Sequence, residues 1–392
     1  MRSEPRPFIP YGRQTITEAD IAAVVEVLRS PFLTQGPVVP AFEQAVAVKV
    51  CARYGVAVNS ATSALHIACL ALGLGPGDQL WTSPITFVAS ANCALYCGAT
   101  VDFVDIEPAT GLMNVAALQT KLEQAKRDGT LPKVVVPVHL AGSSCDMAAI
   151  GALAKRYGFA VLEDASHAIG GRYQGEPVGN CRHSAITVFS FHPVKIITTG
   201  EGGLATTNDP KLALRMAELR SHGIVREAER FERPAAGPWV YEQQQLGFNY
   251  RITDIQAALG LSQLQRLDYI VAERNRQLQC YRELLADLPV QLLEVPEGVL
   301  SSVHLAVIRL QQATAARHRD VFEGLRAAGI GVQLHYTPVH LQPYYRVLGF
   351  AEGLYPQAED YASSAVSLPI YPGLKDQEQQ YVANALVKIL NI

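Results

Sequence analysis

Apolar positions along the first half of the chain alternate between a helical period and short continuous runs. From Thr17 to Ser30, Ile21, Val24, Val25 and Leu28 recur at helical spacing, Thr17 with Asp20 reads as a capping-box start, and Pro31 ends the run. A turn-rich FLTQGPVV follows, then a short amphipathic helix around Phe42, Val46 and Val50. VAVN (56–59) predicts a buried strand, Thr62 to Leu72 a helix, QLWTS (79–83) a strand and FVASANCALYCG a helix. VDFVDI, KVVVPVH and AVLED are further strands, separated by helical segments such as AALQTKLEQAKR and DMAAIGALAKRYG. Continuous apolar strands alternating with helices predict an α/β fold with a mostly parallel sheet covered on both faces. Ligands of such sheets sit beyond the carboxyl ends of the strands. That singles out Asn59–Thr62, Ser83–Thr86, His139 and Glu163–His167.

Further along, AITVFSF (185–191) and GGLATTN (202–208) read as a hairpin-like pair flanking a loop. Residues 226–242 mix charge with Pro and Gly and predict an exposed excursion. A helix from Thr253 to Leu267 is expected to continue to about Leu288. The pattern then changes: strands at HLAVIRL and GVQLHY, a helix near 313–328 and a last helix from Lys375 to Leu390. The expected division is a large domain with an N-terminal arm over 1–265 and a smaller α+β domain over 266–392.

Composition narrows the function classes. The chain has 392 residues, two to three domains' worth at ~150 each. Charged residues make up 18 %, below the usual ~25 %, which leaves surface for an oligomer interface. With 33 Lys+Arg against 36 Asp+Glu, a polybasic nucleic-acid binder is excluded and nothing draws the chain to an anionic membrane. Seven cysteines without a C-x-x-C pair argue against a disulfide framework and a structural zinc site, so no metal is expected. MRSEPRPFIPYGRQ has no signal-peptide core, and no apolar stretch approaches the ~20 residues of a membrane span. The expectation is a protein of the reducing cytoplasm.

The stretch FSFHPVKIITTGEGG (189–203) carries the most chemistry. Lys195 lies between two strands, where an amine is able to form a Schiff base with a carbonyl; a loop lysine is more often a solvated charge. Asp164 ends the AVLED strand and suits a protonated pyridine nitrogen, or else a helix N-cap. NSATSAL (59–65) places small residues at a strand-to-helix junction that suits a phosphate, with ordinary capping by Ser60 or Thr62 as the alternative. Phe87 is placed to stack on a flat ring or to fill the core.

Together these segments resemble the DegT/DnrJ/EryC1/StrS sugar aminotransferases, pyridoxal 5'-phosphate (PLP) enzymes of the aspartate aminotransferase-like fold type I. The resemblance runs from PYGRQTI through LTQGP, NSATSAL, EDASHA, FSFHPVK, GEGG, GFNYRITDIQAALGLSQL and HYTPVH to SLPIYPGL. Within that group, NSATSAL, FHPVKIITTGEGG and HYTPVH are most similar to transaminases of pseudaminic acid biosynthesis. Those aminate C4 of a UDP-linked 4-keto-6-deoxy-N-acetyl-hexosamine with L-glutamate as donor. The resemblance implies that Lys195 bonds the cofactor and shuttles the proton, and that Asp164 partners the ring nitrogen. It implies further that His167 contacts the phenolic oxygen and Phe87 stacks on the ring. Ala61, Thr62 and Ser190 match the phosphate cradle, and Asn249 matches a residue reaching it from the neighbouring subunit of a homodimer. Tyr11, Leu33, Thr34, His335 and Tyr336 match positions lining the nucleotide-sugar site.

One departure is Ala61 where the commoner pattern has glycine, a feature of the pseudaminic-pathway members. Among rivals, a sugar C3-dehydrase of the group carries histidine in place of Lys195. A ligand-binding relative without turnover would have lost Lys195 or Asp164, and a nicotinamide dehydrogenase would show G-x-G-x-x-G after the first strand, which is missing.

Overall fold

The computed structural model describes residues 8–391; the first seven residues of the expected N-terminal arm lie outside them. Seven strands build the central sheet: β1 (Tyr54–Val58), β2 (Gln79–Thr82), β3 (Thr100–Phe103), β4 (Val134–Val136), β5 (Ala160–Asp164), β6 (Ile186–Ser190) and β7 (Gly203–Thr207). Across the sheet they lie in the order β1-β7-β6-β5-β4-β2-β3. Neighbours pair in parallel except at β7, which is antiparallel to both β1 and β6. AITVFSF and GGLATTN thus form the expected hairpin.

The period of two divides the strands between two cores. Val56, Val58, Val134 and Val136 face the helices Ala61–Ala71, Ala89–Tyr96 and Pro210–Leu219. On the other face, Val135 and Val161 meet the helices Val115–Asp128 and Met147–Tyr157, and Ala57 and Leu204 meet Val38–Lys49 and Asp254–Leu264. Burial on both faces is why these strands lack polar alternation.

A smaller antiparallel sheet follows, β8 (Val290–Leu292), β9 (Ala306–Leu310) and β10 (Ala365–Leu368), with β9 in the middle. It shares a core with the helices Leu267–Leu284, Ala315–Ala327 and Asp376–Leu390. Three expectations are corrected here. The long helix is two, broken at Gln265–Arg266, and the second ends at Leu284. GVQLHY is not a strand; its one backbone bridge to the sheet is Gln333–Ser367, beside a 2.8 Å contact between His335 Nδ1 and Ser367 Oγ. The third strand is instead β10, AVSL, which runs into the SLPI segment.

The Thr17 capping box forms as expected: Thr17 N donates to Asp20 Oδ2 at 2.8 Å. Asp20 is buried and also accepts from Ser262 Oγ at 2.6 Å and Arg266 Nη2 at 2.6 Å, which ties the first helix to the Asp254–Leu264 region.

Candidate active site

Because β1, β2, β5 and β6 run the same way, the residues that follow them gather at one edge of the sheet. There they line a cleft of about 600 Å³. Ala61, Thr62, Phe87, Asp164, His167, Ser190 and Lys195 lie on it, joined by Tyr11, His335 and Tyr336.

At the end of β1 the helix Ala61–Ala71 begins. Ser60 caps it, its Oγ accepting from Ser63 N at 3.1 Å. The N–H groups of Ala61 and Thr62 find no acceptor among the described residues, as the first donors of a helix do not. The Ser60 cap therefore leaves two free donors at this turn, an arrangement that suits an anion. Gly203 opens β7 beside it: a Cβ there would lie 2.5 Å from Ala61 N, so only glycine lets the strand come this close. Ser190 pairs with Gly203 across β6 and β7.

Asp164 does not cap a helix, since a turn follows β5. Its Oδ1 accepts from Ser166 N at 3.1 Å and its Oδ2 from Ser90 Oγ at 2.6 Å. Lys195 is no solvated charge. It is half-buried on the cleft, and its Nζ has no hydrogen-bond or ion-pair partner among the described residues. Burial lowers its amine to about 8, against the pull of the Asp164 carboxylate. The loop holding it is pinned by Thr199 N donating to Phe191 O at 3.0 Å and Thr198 Oγ1 to the same oxygen at 2.9 Å.

His167 is buried, and burial, with the nearby charges of Lys195 and His335, pushes its imidazole well below the ordinary range, keeping it neutral. Burial raises the Tyr336 phenol, so that group keeps its proton. Tyr336 OH lies 3.2 Å from His167 Nε2, and which of the two donates depends on whether the imidazole proton sits on Nε2 or on Nδ1. That Nδ1 is buried with no partner. Phe87 is 59 % exposed, a ring on the cleft wall and not a core filler.

Three site expectations fall outside this cleft. Asn249 is exposed and bridges to Ser221. Leu33 O accepts from Asp254 N at 3.0 Å and Thr34 bridges to Thr253, so both sit at the start of the helix Asp254–Leu264. Conversely, the motifs missed Ser90 and His304. His304 lines the cleft with its ring 4.3 Å from that of His167; HLAVIRL was legible only as a strand. No cluster of three metal-ligating side chains occurs among the described residues, nor a helix long and apolar enough to cross a membrane.

PLP fits these residues. The free N–H groups at Ala61 and Thr62 suit its phosphate, and the orphaned His167 Nδ1, when it carries the imidazole proton, suits its ring oxygen. Asp164 supplies an acceptor for the ring nitrogen, Phe87 an open face and Lys195 an amine of lowered basicity.

The DegT/DnrJ/EryC1/StrS aminotransferase family matches residues 14–387. Spore coat polysaccharide biosynthesis protein SpsC of Bacillus subtilis is 38 % identical over 388 residues, 98 % of this chain and 97 % of that protein. Helicobacter pylori PseC, an aminotransferase involved in the biosynthesis of pseudoaminic acid, aligns with a TM-score of 0.90 at 32 % identity, covering 98 % of this chain and 99 % of its own. Spr1654 of Streptococcus pneumoniae in its PLP form gives 0.88 at 30 % identity over 98 % of this chain and 99 % of its own.

Proposed function

Since the chain belongs to the DegT/DnrJ/EryC1/StrS aminotransferase family, and is with it a PLP-dependent sugar aminotransferase of fold type I, we propose that it moves the amino group of L-glutamate to C4 of a UDP-linked 4-keto-6-deoxy-N-acetyl-hexosamine, as in pseudaminic acid biosynthesis. The observation that carries the chemistry is Lys195, half-buried and unpaired, in one cleft with Asp164 and the free donors of Ala61 and Thr62. The choice of sugar rests on the likeness to PseC.

Ala61, Thr62 and Ser190 would hold the phosphate, Phe87 the ring face, His167 the ring oxygen and Asp164 the ring nitrogen. When bound, PLP supplies a carbonyl that captures amines and a cationic ring that draws electrons from an adjacent carbon. Lys195 Nζ lifts the proton from the amine-bearing carbon of glutamate and returns one to the sugar carbon that receives the amine. Asp164, ionised, holds a proton on the nitrogen it faces. Tyr11, His335 and Tyr336 form the wall against which the sugar is oriented.

A lowered Lys195 amine has a direct consequence for cofactor capture. Near pH 8 about half of it is neutral, whereas an ordinary lysine at ~10.4 is less than about 1 % neutral there. Protein freed of cofactor is expected to capture PLP faster as pH rises through about 8 and to level off above that. Absorbance stopped-flow checks this, and a rate still climbing at pH 10 would mark an unperturbed lysine.

The same reading has the cleft completed by a second copy, in a cytoplasmic homodimer. Asn249, Leu33 and Thr34 lie off this chain's own cleft, and we assign them to the shared site. The seven cysteines are free thiols, which suits a reducing compartment. The division into 1–265 and 266–392 is part of this proposal, supported by the break at Gln265–Arg266. Lys195→Ala and Asn249→Asp are each expected to be inactive, the latter because a carboxylate repels the phosphate. In a mixed dimer one site carries both lesions and the other neither, so activity should return toward half of the wild-type value. Confirmed heterodimers without recovery would place Asn249 outside the partner's site.

The substrate is tested by incubating the protein with glutamate and a panel of UDP- and TDP-linked 4-keto sugars. Mass spectrometry reads amination and NMR its position. Turnover of the UDP-N-acetyl sugar at C4 is expected; preference for a TDP sugar, or amination at C3, would overturn this choice of substrate.

A further inference from the structure

We propose that Ser90, backed by Thr86, is a positioning residue that fixes the Asp164 carboxylate against the cofactor's ring nitrogen; this rests on the reading of Asp164 given above. Ser90 is the second residue of the helix Ala89–Tyr96 and is fully buried. Its Oγ lies 2.6 Å from Asp164 Oδ2, across 74 positions of sequence. An ionised carboxylate only accepts, so Ser90 donates. Its single proton is then committed, and the 2.7 Å contact between Thr86 Oγ1 and Ser90 Oγ has one remaining direction: Thr86 donates. The donors run one way, from Thr86 through Ser90 to Asp164, and each polarises the next in a buried setting.

Two features make this more than a satisfied core serine. The Phe87 carbonyl lies 3.3 Å from Ser90 Oγ and would serve as its acceptor if Asp164 were not there. The shorter approach is to the carboxylate. The Ser90 N–H meanwhile donates to that same Phe87 carbonyl at 3.2 Å. One small residue thus links Phe87, the open ring on the cleft wall, to Asp164 at the end of β5. With Oδ1 taken by Ser166 N–H at 3.1 Å and Oδ2 by Ser90, the carboxylate cannot turn about its own axis without losing both donors.

The test uses PLP-loaded protein carrying Ser90→Ala, Thr86→Val or both, with Asp164→Asn as reference. Ring-nitrogen protonation is read by ¹⁵N NMR on labelled PLP before any substrate is added. Ser90→Ala is expected to shift the ring nitrogen toward its unprotonated position and to lower kcat by about 10- to 100-fold. KM for glutamate should stay within about threefold, since the lost interaction acts on the transition state. Thr86→Val should cost about threefold, and the double variant should match Ser90→Ala within about twofold, because Thr86 acts only through Ser90. Additive losses, or an unmoved ¹⁵N signal in Ser90→Ala, would overturn the proposal. If Ser90→Ala does not fold, Thr86→Val decides, and an unmoved signal there overturns it equally. Failure of the underlying reading looks different: Asp164→Asn itself would then leave the ring nitrogen and kcat unchanged.

Discussion

Lys195→Ala is expected to lower glutamate-to-sugar transamination by at least about 10³-fold, the scale of a lost general base combined with a lost covalent partner. The protein should stay folded, because Lys195 Nζ has no hydrogen-bond or ion-pair partner to lose among the described residues. Its thermal midpoint should stay near that of the wild type. The phosphate donors at Ala61 and Thr62 are untouched, so the variant should still bind PLP without a covalent bond. Wild-type turnover in Lys195→Ala would remove the lysine from the mechanism, whereas an unfolded variant would reveal a structural role that its surroundings do not show.

Asp164→Asn should slow the reaction by about 10²- to 10³-fold, the usual cost of removing one preorganised electrostatic partner of the transition state. An amide has no charge to hold a proton on the nitrogen it faces. It also keeps only one acceptor atom for two donors, Ser90 Oγ–H and Ser166 N–H. Ser90 Oγ–H then falls back on the longer 3.3 Å contact with the Phe87 carbonyl, at a cost of about 1 kcal/mol of stability. The signature is therefore a large fall in kcat with a modest fall in thermal midpoint. A stable variant with full activity would reduce Asp164 to a turn residue.

The parts of this site that were legible from sequence share one property: they lie in the turns and loops that follow apolar strands. Asp164 after AVLED, Lys195 after AITVFSF and Ala61–Thr62 after VAVN all reach the cleft because parallel strands bring their carboxyl ends to one edge. Ser90 was hidden by the same logic. It lies inside a helix, and its partner is 74 positions away, a contact that local periodicity does not encode. The i, i+4 spacing of Thr86 and Ser90 was the one local trace of it. Leu33, Thr34 and Asn249 were drawn from the resemblance alone, and the folded chain keeps them off its own cleft. The antiparallel course of β7 was readable because the segment joining it to β6 carries no helical period of the kind a parallel crossover uses. GVQLHY misled because an alternating apolar run marks a strand only when a partner edge is available. Here AVSL (365–368) takes the place beside β9.

The central claim is that the cleft at the carboxyl edge of the sheet is the PLP site and that Lys195 carries the cofactor. Borohydride reduction of the purified, PLP-loaded protein followed by peptide mass spectrometry tests it most directly. The pyridoxyl group should appear on the peptide bearing Lys195, with matching loss of the visible absorbance. A pyridoxyl group on any other lysine, or none on a protein that still transaminates, would contradict it.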